Sequence, residues 1–539
     1  MLATMAQKMN PAKLFLSLLL ISTFVATGNN LPAQGLNQGK PVVIRLENIL
    51  DSLINSPDQL LTFTGKTISL GSFSLRKIDR LYPNAQIDSG MLVLNKSLAF
   101  RNCTIIGKGL SNLKMKDITF TNCQIKTLSI TNIGAVSLSI SNSQADGVRV
   151  LNSTFKHLHL LHLSNPNPAS GSLSVFKTKV TGELRLANNA FYQNIGVFSS
   201  ELKYLRFEKN QANMTGMGNN LVKNEVLLLD EAAKEFRIRK NEFLSKDTLR
   251  HTYDFHGDRL VFINNTVEAP VLFADSRVNN RLEMADNVFH YAVDFHDMTF
   301  PEFNKYIPFR QFKQGFVVYQ NLYSEESPDG ATCFYCELYA GKTDEELADK
   351  TNFDKLVQSY EILFLGYKST GDIESANQAY IQIKELYLNR LGYLYRTHGG
   401  FKHYFRWQLA KLLKFYTNHG TDPALSIVIS IYVILVFAVF YVFFPSEWDV
   451  SSKKRLLTDF KDFINSNEKG YFKPFLTLIV GFGISLINAI TLSLNSFVTL
   501  GFGTIPTTGV ARYVCILQGF IGWFLLSIFT VSLINQILF

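Results

Sequence analysis

The chain has 539 residues, 47% hydrophobic and 18% charged, with 53 Lys and Arg against 44 Asp and Glu for a net charge of +9. Five cysteines are too few for a disulfide scaffold. The basic residues form no stripe interleaved with aromatics, which argues against nucleic acid as a partner. Most charge lies before residue 420 and most long apolar runs after it, the profile of an extramembrane domain joined to a membrane domain.

Residues 1–34 read as a secretory signal. Lys8 and Lys13 precede the short apolar run Leu14 to Thr27, and small or polar residues follow up to Gln34. Such a run is short for a span and typical of a signal core. An uncleaved anchor is the alternative, and either reading puts the following domain outside the cytoplasm. Residues 35–97 are expected to cap that domain.

From 98 to 160 apolar residues recur every five positions: Phe100, Ile105, Leu110, Met115, Phe120, Ile125, Ile130, and so on to Phe155 and Leu160. Asparagine recurs every ten, from Asn102 to Asn152. Neither the helical nor the strand period explains this. Four five-residue sides closing a square coil do, with inward positions stacked into a continuous core. The stretch resembles the pentapeptide-repeat family. Cys103 and Cys123 fall one 20-residue coil apart and should stack inside. Later segments loosen into short alternating strands that end in Asn: Leu184 to Asn189, Leu205 to Asn210, Phe236 to Asn241, Leu260 to Asn265 and Leu282 to Asn287. These suit larger coils of a right-handed β-helix, with Asn serving tight turns. The solenoid is expected over 98–310.

Asp254-Phe-His256-Gly-Asp258 is echoed by Asp294-Phe-His296-Asp297, 40 residues on. Solenoids can carry acid clusters of carbohydrate-cleaving enzymes, but repeated coil corners with solvated charges are the preferred reading, and no enzyme activity is expected. Cys333-x-x-Cys336 lacks the further ligands that zinc requires. It reads as a local disulfide or two thiols.

A helical connector is expected over 340–417. Tyr360, Leu363 and Tyr367, a turn at Gly371-Asp372, then Ala376, Ala379, Tyr380, Ile383, Leu386 and Tyr387 give an apolar stripe on each side of a break. They resemble one tetratricopeptide-like hairpin, which must pack on the solenoid end or a neighbouring subunit. Residues 399–415 read as a basic, aromatic helix at a membrane interface.

The segment 424–444 has no charge and is long enough to span a bilayer. A polar loop, 445–473, carries six Lys or Arg. The region 475–539 then reads as an apolar helix (475–490), a short amphipathic helix, the loop Thr499-Leu500-Gly501-Phe502-Gly503, and a last apolar helix from about Val510. Alternate glycines permit backbone carbonyls to face one axis, where four loops can replace the hydration shell of a cation. With Pro506 and Arg512 following, 485–535 resembles the two-helix potassium-channel pore family. The resemblance implies a homotetramer conducting K⁺ through a filter of Thr499 to Gly503. It also implies pore-helix support from Asn495 and a gating hinge at Gly522, with no cofactor beyond the permeant ion. Phe502 and Thr504 depart from the family's usual Tyr and acid, which bears on the sharpness of selectivity.

The expected fold is therefore multidomain: a right-handed β-helix or pentapeptide-like solenoid, an α-helical connector and an all-α transmembrane pore. Membrane lipid, K⁺ and three further copies are the expected partners. The expected location is the cell (inner) membrane, multi-pass, with the solenoid extracytoplasmic. In that order 424–444 crosses inward, 475–490 outward and the last helix inward; if 475–490 does not span, the solenoid is cytoplasmic and the signal reading fails. The alternative is a membrane-anchored binding or scaffold protein with a degenerate pore.

Overall fold

The computed structural model describes residues 43–71, 80, 83, 86–165, 167, 171–244, 251–274, 276–295, 298, 307–312, 317–319, 339–444, 454, 457–458, 460–461, 464, 472–499 and 510–538. Apart from Val43 they belong to one unit that begins at Ile44. The leader-like residues 1–34, Cys333, Cys336, His296 and Asp297 lie outside the described residues.

Helix α1 (Leu46–Asn55) buries Leu46, Ile49, Leu50 and Leu53, an i, i+3, i+4, i+7 stripe, into the solenoid core. The β-solenoid that follows has about 11 turns. Coiling begins before the five-residue period does: Leu60–Thr64 and Thr67–Leu70 already pair in parallel with Ser97–Arg101 and Thr104–Gly107. In the regular part, Leu98, Ile118, Leu138 and Leu158 stack in one parallel register. The row continues through Leu184, Leu205 and Val226, with wider coils and local register shifts. Every one of these side chains is buried. Burying a Leu or Ile stabilises by about 1.5–3 kcal/mol, so each coil adds its own share of the core.

In the regular coils the recurring asparagines make the corners. Asn102, Asn112, Asn122, Asn132, Asn142 and Asn152 all have φ between 48° and 58°. Asn reaches this left-handed region at small cost. Their side chains also bond between coils: Asn122 Nδ2 donates to Asn102 Oδ1 at 2.6 Å, and Asn132 Nδ2 to Asn112 Oδ1 at 2.7 Å. Cys103 and Cys123 are buried free thiols that donate to backbone carbonyls, so their role is packing.

In the wider coils the pattern changes. The left-handed corner is taken by Asn188, Lys209, Asn219, Lys240, Asn264 and Asp286. The Asn just after each corner turns inward and is buried. These inner amides form ladders: Asn189 to Asn210 to Glu231, and Asn220 to Asn241 to Asn265 to Asn287 to Gln311. Outside, ionic rungs cross the coils, with Arg206 between Glu183 (3.3 Å) and Glu225 (3.5 Å), and Arg259 between Glu235 (3.3 Å) and Glu283 (3.1 Å). Being partly exposed, each is worth about 0–1 kcal/mol.

The connector begins with α2 (Asp344–Ala348), whose Thr343 and Glu346 form a reciprocal capping box. It continues as α3 (Lys350–Thr370) and α4 (Ile373–His398). The turn between α3 and α4 falls where Gly371-Asp372 predicts it. Gly371 takes φ 75° as the left-handed end of α3, and Asp372 caps α4 by accepting from the Ser375 N–H at 3.1 Å. The hairpin docks on the last coils of the solenoid. Tyr367 OH donates to the Ile307 carbonyl (2.7 Å), Tyr360 OH accepts from the Val317 N–H (3.0 Å), and Ser375 Oγ accepts from the Phe309 N–H (3.0 Å).

Helix α5 (Phe401–Thr417) follows, with Phe401, Phe405 and Phe415 exposed and Lys411 Nζ 3.3 Å from the Trp407 ring centroid. Three long helices complete the chain: α6 (Pro423–Phe443), α7 (Phe472–Thr499) and α8 (Val510–Leu538). Each contains a stretch long and apolar enough to cross a membrane. Asp422 caps α6, accepting from the Leu425 N–H at 3.0 Å. Segments 475–490 and 491–499, expected as two helices, are one continuous helix. No Gly or Pro interrupts it after Gly483.

Candidate ion-conduction site

The three long helices meet around a small buried core. Tyr441, Ala489, Leu492 and Cys515 form one cluster, and Tyr416, Phe497 and Leu525 another, flanked by Ile429 and Val433. Going along α7 from Leu492 to Phe497 therefore means going along α8 from Cys515 to Leu525 and back along α6. So the last turns of α7 run in the same direction as α8 and opposite to α6. At the far end Ser532 Oγ donates to the Gly420 carbonyl just before α6, at 3.1 Å. Tyr441, near the other end of α6, bonds Gln518 of α8 at 2.8 Å. Helices α6 and α8 are antiparallel along most of their length. The expected order had both crossing in the same direction. The structure differs in that 475–490 is the first part of a helix whose last turns run parallel to α8.

The depth of α7 matters most. Phe497 lies level with Gly522, where a Cβ on the glycine would sit 2.2 Å from the Phe497 carbonyl oxygen. Only a glycine permits this approach. Gly522 is 12 positions beyond Val510, so α7 ends about 18 Å along α8 from its start, at about 1.5 Å per residue. The described chain resumes at Val510, back at the beginning of α8. Ten residues, 500–509, join the end of α7 to the start of α8. The first turns of α7 stand clear of this packing, with Phe475, Leu476, Ile479, Val480 and Phe482 exposed.

The filter run is divided by these limits. Thr499 is the last residue of α7, and Leu500, Gly501, Phe502, Gly503, Thr504 and Pro506 lie outside the described residues. Asn495 is half-buried in the last turns of α7, on the stretch that faces the other helices, and Arg512 is exposed in the first turn of α8. Gly522 sits in the middle of an unbroken α8 and is buried. Its observed role is the close contact with α7.

Sequence reading missed the polar side chains that join the helices. Gln518, wholly buried, donates through Nε2 to the Ser493 carbonyl (3.0 Å) and to Ser493 Oγ (2.7 Å), and accepts from Tyr441 OH (2.8 Å). Ser493 Oγ in turn donates to the Ile434 carbonyl at 2.7 Å. The signal was available: a Gln in the middle of an apolar helix must find partners. An apolar cavity of about 360 Å³ lies beside this packing, lined by Leu412 and Phe415 of α5, Ile429 and Val433 of α6, and Phe520 and Phe524 of α8.

Of the solenoid's repeated acidic motif, Asp254, His256, Asp258 and Asp294 are among the described residues. Asp294 stacks two coils beyond Thr252, through Leu272, or about 10 Å at ordinary strand spacing. His256 Nε2 stands 3.7 Å from Asp254 Oδ1. Among the described residues no three His, Cys, Asp or Glu are placed to hold a metal. Comparison of the chain with protein families, curated proteins and solved structures returns no match.

Proposed function

We propose that the chain is a passive, potassium-selective or cation channel built as a homotetramer. On this reading α6 is the outer helix, the last turns of α7 the pore helix, residues 499–503 the filter and α8 the inner helix. The observation that carries it is the depth of α7, whose end lies about 18 Å along α8 from the point where the chain resumes. A pore loop has this outline: non-helical backbone at membrane depth is tolerated where it lines a wet path. The run Thr499-Leu-Gly501-Phe-Gly503 begins at the last residue of α7, and its resemblance to potassium-channel filters supplies the ion. Four copies are required because one loop offers carbonyls from one side only. Conduction involves no covalent step, hence no catalytic residue or cofactor.

The test is K⁺ flux from liposomes holding the purified full chain. Wild type is expected to release K⁺, and Thr499→Ala and Gly501→Ala to abolish or severely reduce the flux. A wild type without flux, or flux indifferent to both substitutions, ends the channel reading and favours a membrane-anchored scaffold.

A further inference from the structure

We propose that Gln518 is a positioning residue of the pore, fixing the depth and rotation of the pore helix through Ser493 and tying that setting to the outer helix through Tyr441. This rests on the pore reading above. Three helices meet at the one carboxamide. Both donor bonds go to Ser493 on α7, and its acceptor receives the Tyr441 hydroxyl of α6. Ser493 is anchored a second time, to the Ile434 carbonyl on α6. All of this is sealed from solvent, with Gln518 and Ser493 both fully buried.

The second element of the device lies one turn further along the same faces. Phe497 follows Ser493 by four residues, and Gly522 follows Gln518 by four. There the two backbones touch, and a side chain at 522 has no room. The polar clamp and the close contact therefore act as two pins. A slip of α7 by one residue, about 1.5 Å, would break both Gln518 bonds and carry the Phe497 carbonyl off the glycine onto a residue with a Cβ. Rotation about the α7 axis is blocked in the same way. Thr499 begins only six residues beyond Ser493, so the setting reaches the filter through less than two helical turns. Ion discrimination depends on where carbonyl dipoles stand, and a filter hung from a pinned helix keeps that placement. Apolar packing alone would hold α7 in place but tolerate several registers. A bidentate bond to one serine tolerates one.

The experiment uses the full chain in planar bilayers with opposed K⁺ and Na⁺ solutions, read as the permeability ratio from the reversal potential. Gln518→Leu is expected to assemble at the wild-type size and to lower the K⁺ over Na⁺ ratio by about tenfold, since discrimination depends on where the filter carbonyls stand. Ser493→Thr, which retains the hydroxyl, should keep more of the ratio than Ser493→Ala. A Gln518→Leu tetramer with the wild-type ratio and open probability overturns the proposal while leaving the channel standing. If Gln518→Leu does not assemble, the smaller deletions Tyr441→Phe, which removes one bond, and Ser493→Ala, which removes two, carry the test: coupled effects on the ratio support the clamp, and strictly additive or absent effects overturn it. A wild type that passes no ion overturns the pore reading and this proposal together.

Discussion

Two buried ionisable residues in the solenoid have opposite consequences for stability. Glu231 occupies the place of an amide in an inner ladder, its Oε1 accepting from the Asn210 N–H (3.0 Å) and Nδ2 (2.8 Å). Burial raises its carboxyl from 4.5 to about 8. His251 accepts from the Val226 N–H through Nδ1 at 3.0 Å, and burial lowers it from 6.5 to about 4. Glu231 keeps a proton on folding that the unfolded chain releases. Its contribution is whole below about pH 4.5 and is lost as pH rises to about 8. His251 works in reverse, losing its contribution as pH falls from about 6.5 to about 4. Above about pH 6.5 Glu231 acts alone, so the thermal midpoint of the full chain should decline from pH 6.5 to 8. Glu231→Gln keeps the acceptor for Asn210 and cannot ionise. It should remove most of that decline, and an undiminished decline would rule Glu231 out as the cause. Little of this was legible in the sequence. The Asn at each strand end pointed to a corner. In the wider coils the residue before it makes the corner and the Asn itself turns inward, a choice set by whether the neighbouring coil offers an amide partner.

The turn Asn418-His419-Gly420 between α5 and α6 holds three consecutive left-handed residues, with φ 47°, 62° and 90°. His419 is kept there by Glu385 Oε1 at 3.1 Å, and Lys414 reaches the same carboxylate at 2.7 Å. The left-handed region costs a β-branched residue about 1–2 kcal/mol. Asn418→Val should therefore lower stability by about that amount, and Asn418→Gly should be close to neutral, both read by thermal unfolding in detergent. Equal losses from the two would remove backbone strain as the reason. Other elements show which signals sequence carries well. The α3–α4 turn was legible because Gly371 and Asp372 are local stop and start signals. The continuity of α7 was not. Polar Thr491, Ser493, Asn495 and Ser496 looked like a change of helix, yet polarity does not break a helix. Ser493 is polar because it meets the Ile434 carbonyl and Gln518, and both partners are remote in sequence.

At the scale of the molecule, the start of α6 and the end of α8 share one face of the helical bundle, joined by Ser532 and the Gly420 carbonyl. The connector and solenoid attach at that same end of α6. In a potassium pore the inner helix ends in the cytoplasm, so the pore reading draws the solenoid to the inside, whereas the leader-like segment 1–34 predicts the outside. Cysteine labelling in intact cells decides this: a single cysteine on an exposed corner such as Lys209 should resist a membrane-impermeant reagent and react after permeabilisation. Labelling in intact cells would return the solenoid to the outside and leave α6 in need of a different role. Solenoid, connector and membrane helices were each visible as changes of period in the sequence. Their mutual directions were not, because direction is set by contacts such as Tyr441 with Gln518 and Gly522 with Phe497 that no local pattern encodes.

The inner amide ladder also governs how the solenoid comes apart. Stacked repeats are usually free to fray from an end, since each contacts only its neighbours. Here the carboxamides of Asn220, Asn241, Asn265 and Asn287 each find a partner in the next coil along. Opening one coil strands a buried amide in the one left behind, at about 1–3 kcal/mol. Every intermediate on the way carries that penalty at its boundary, so the half-melted states are the least populated and the stack behaves as a single cooperative block.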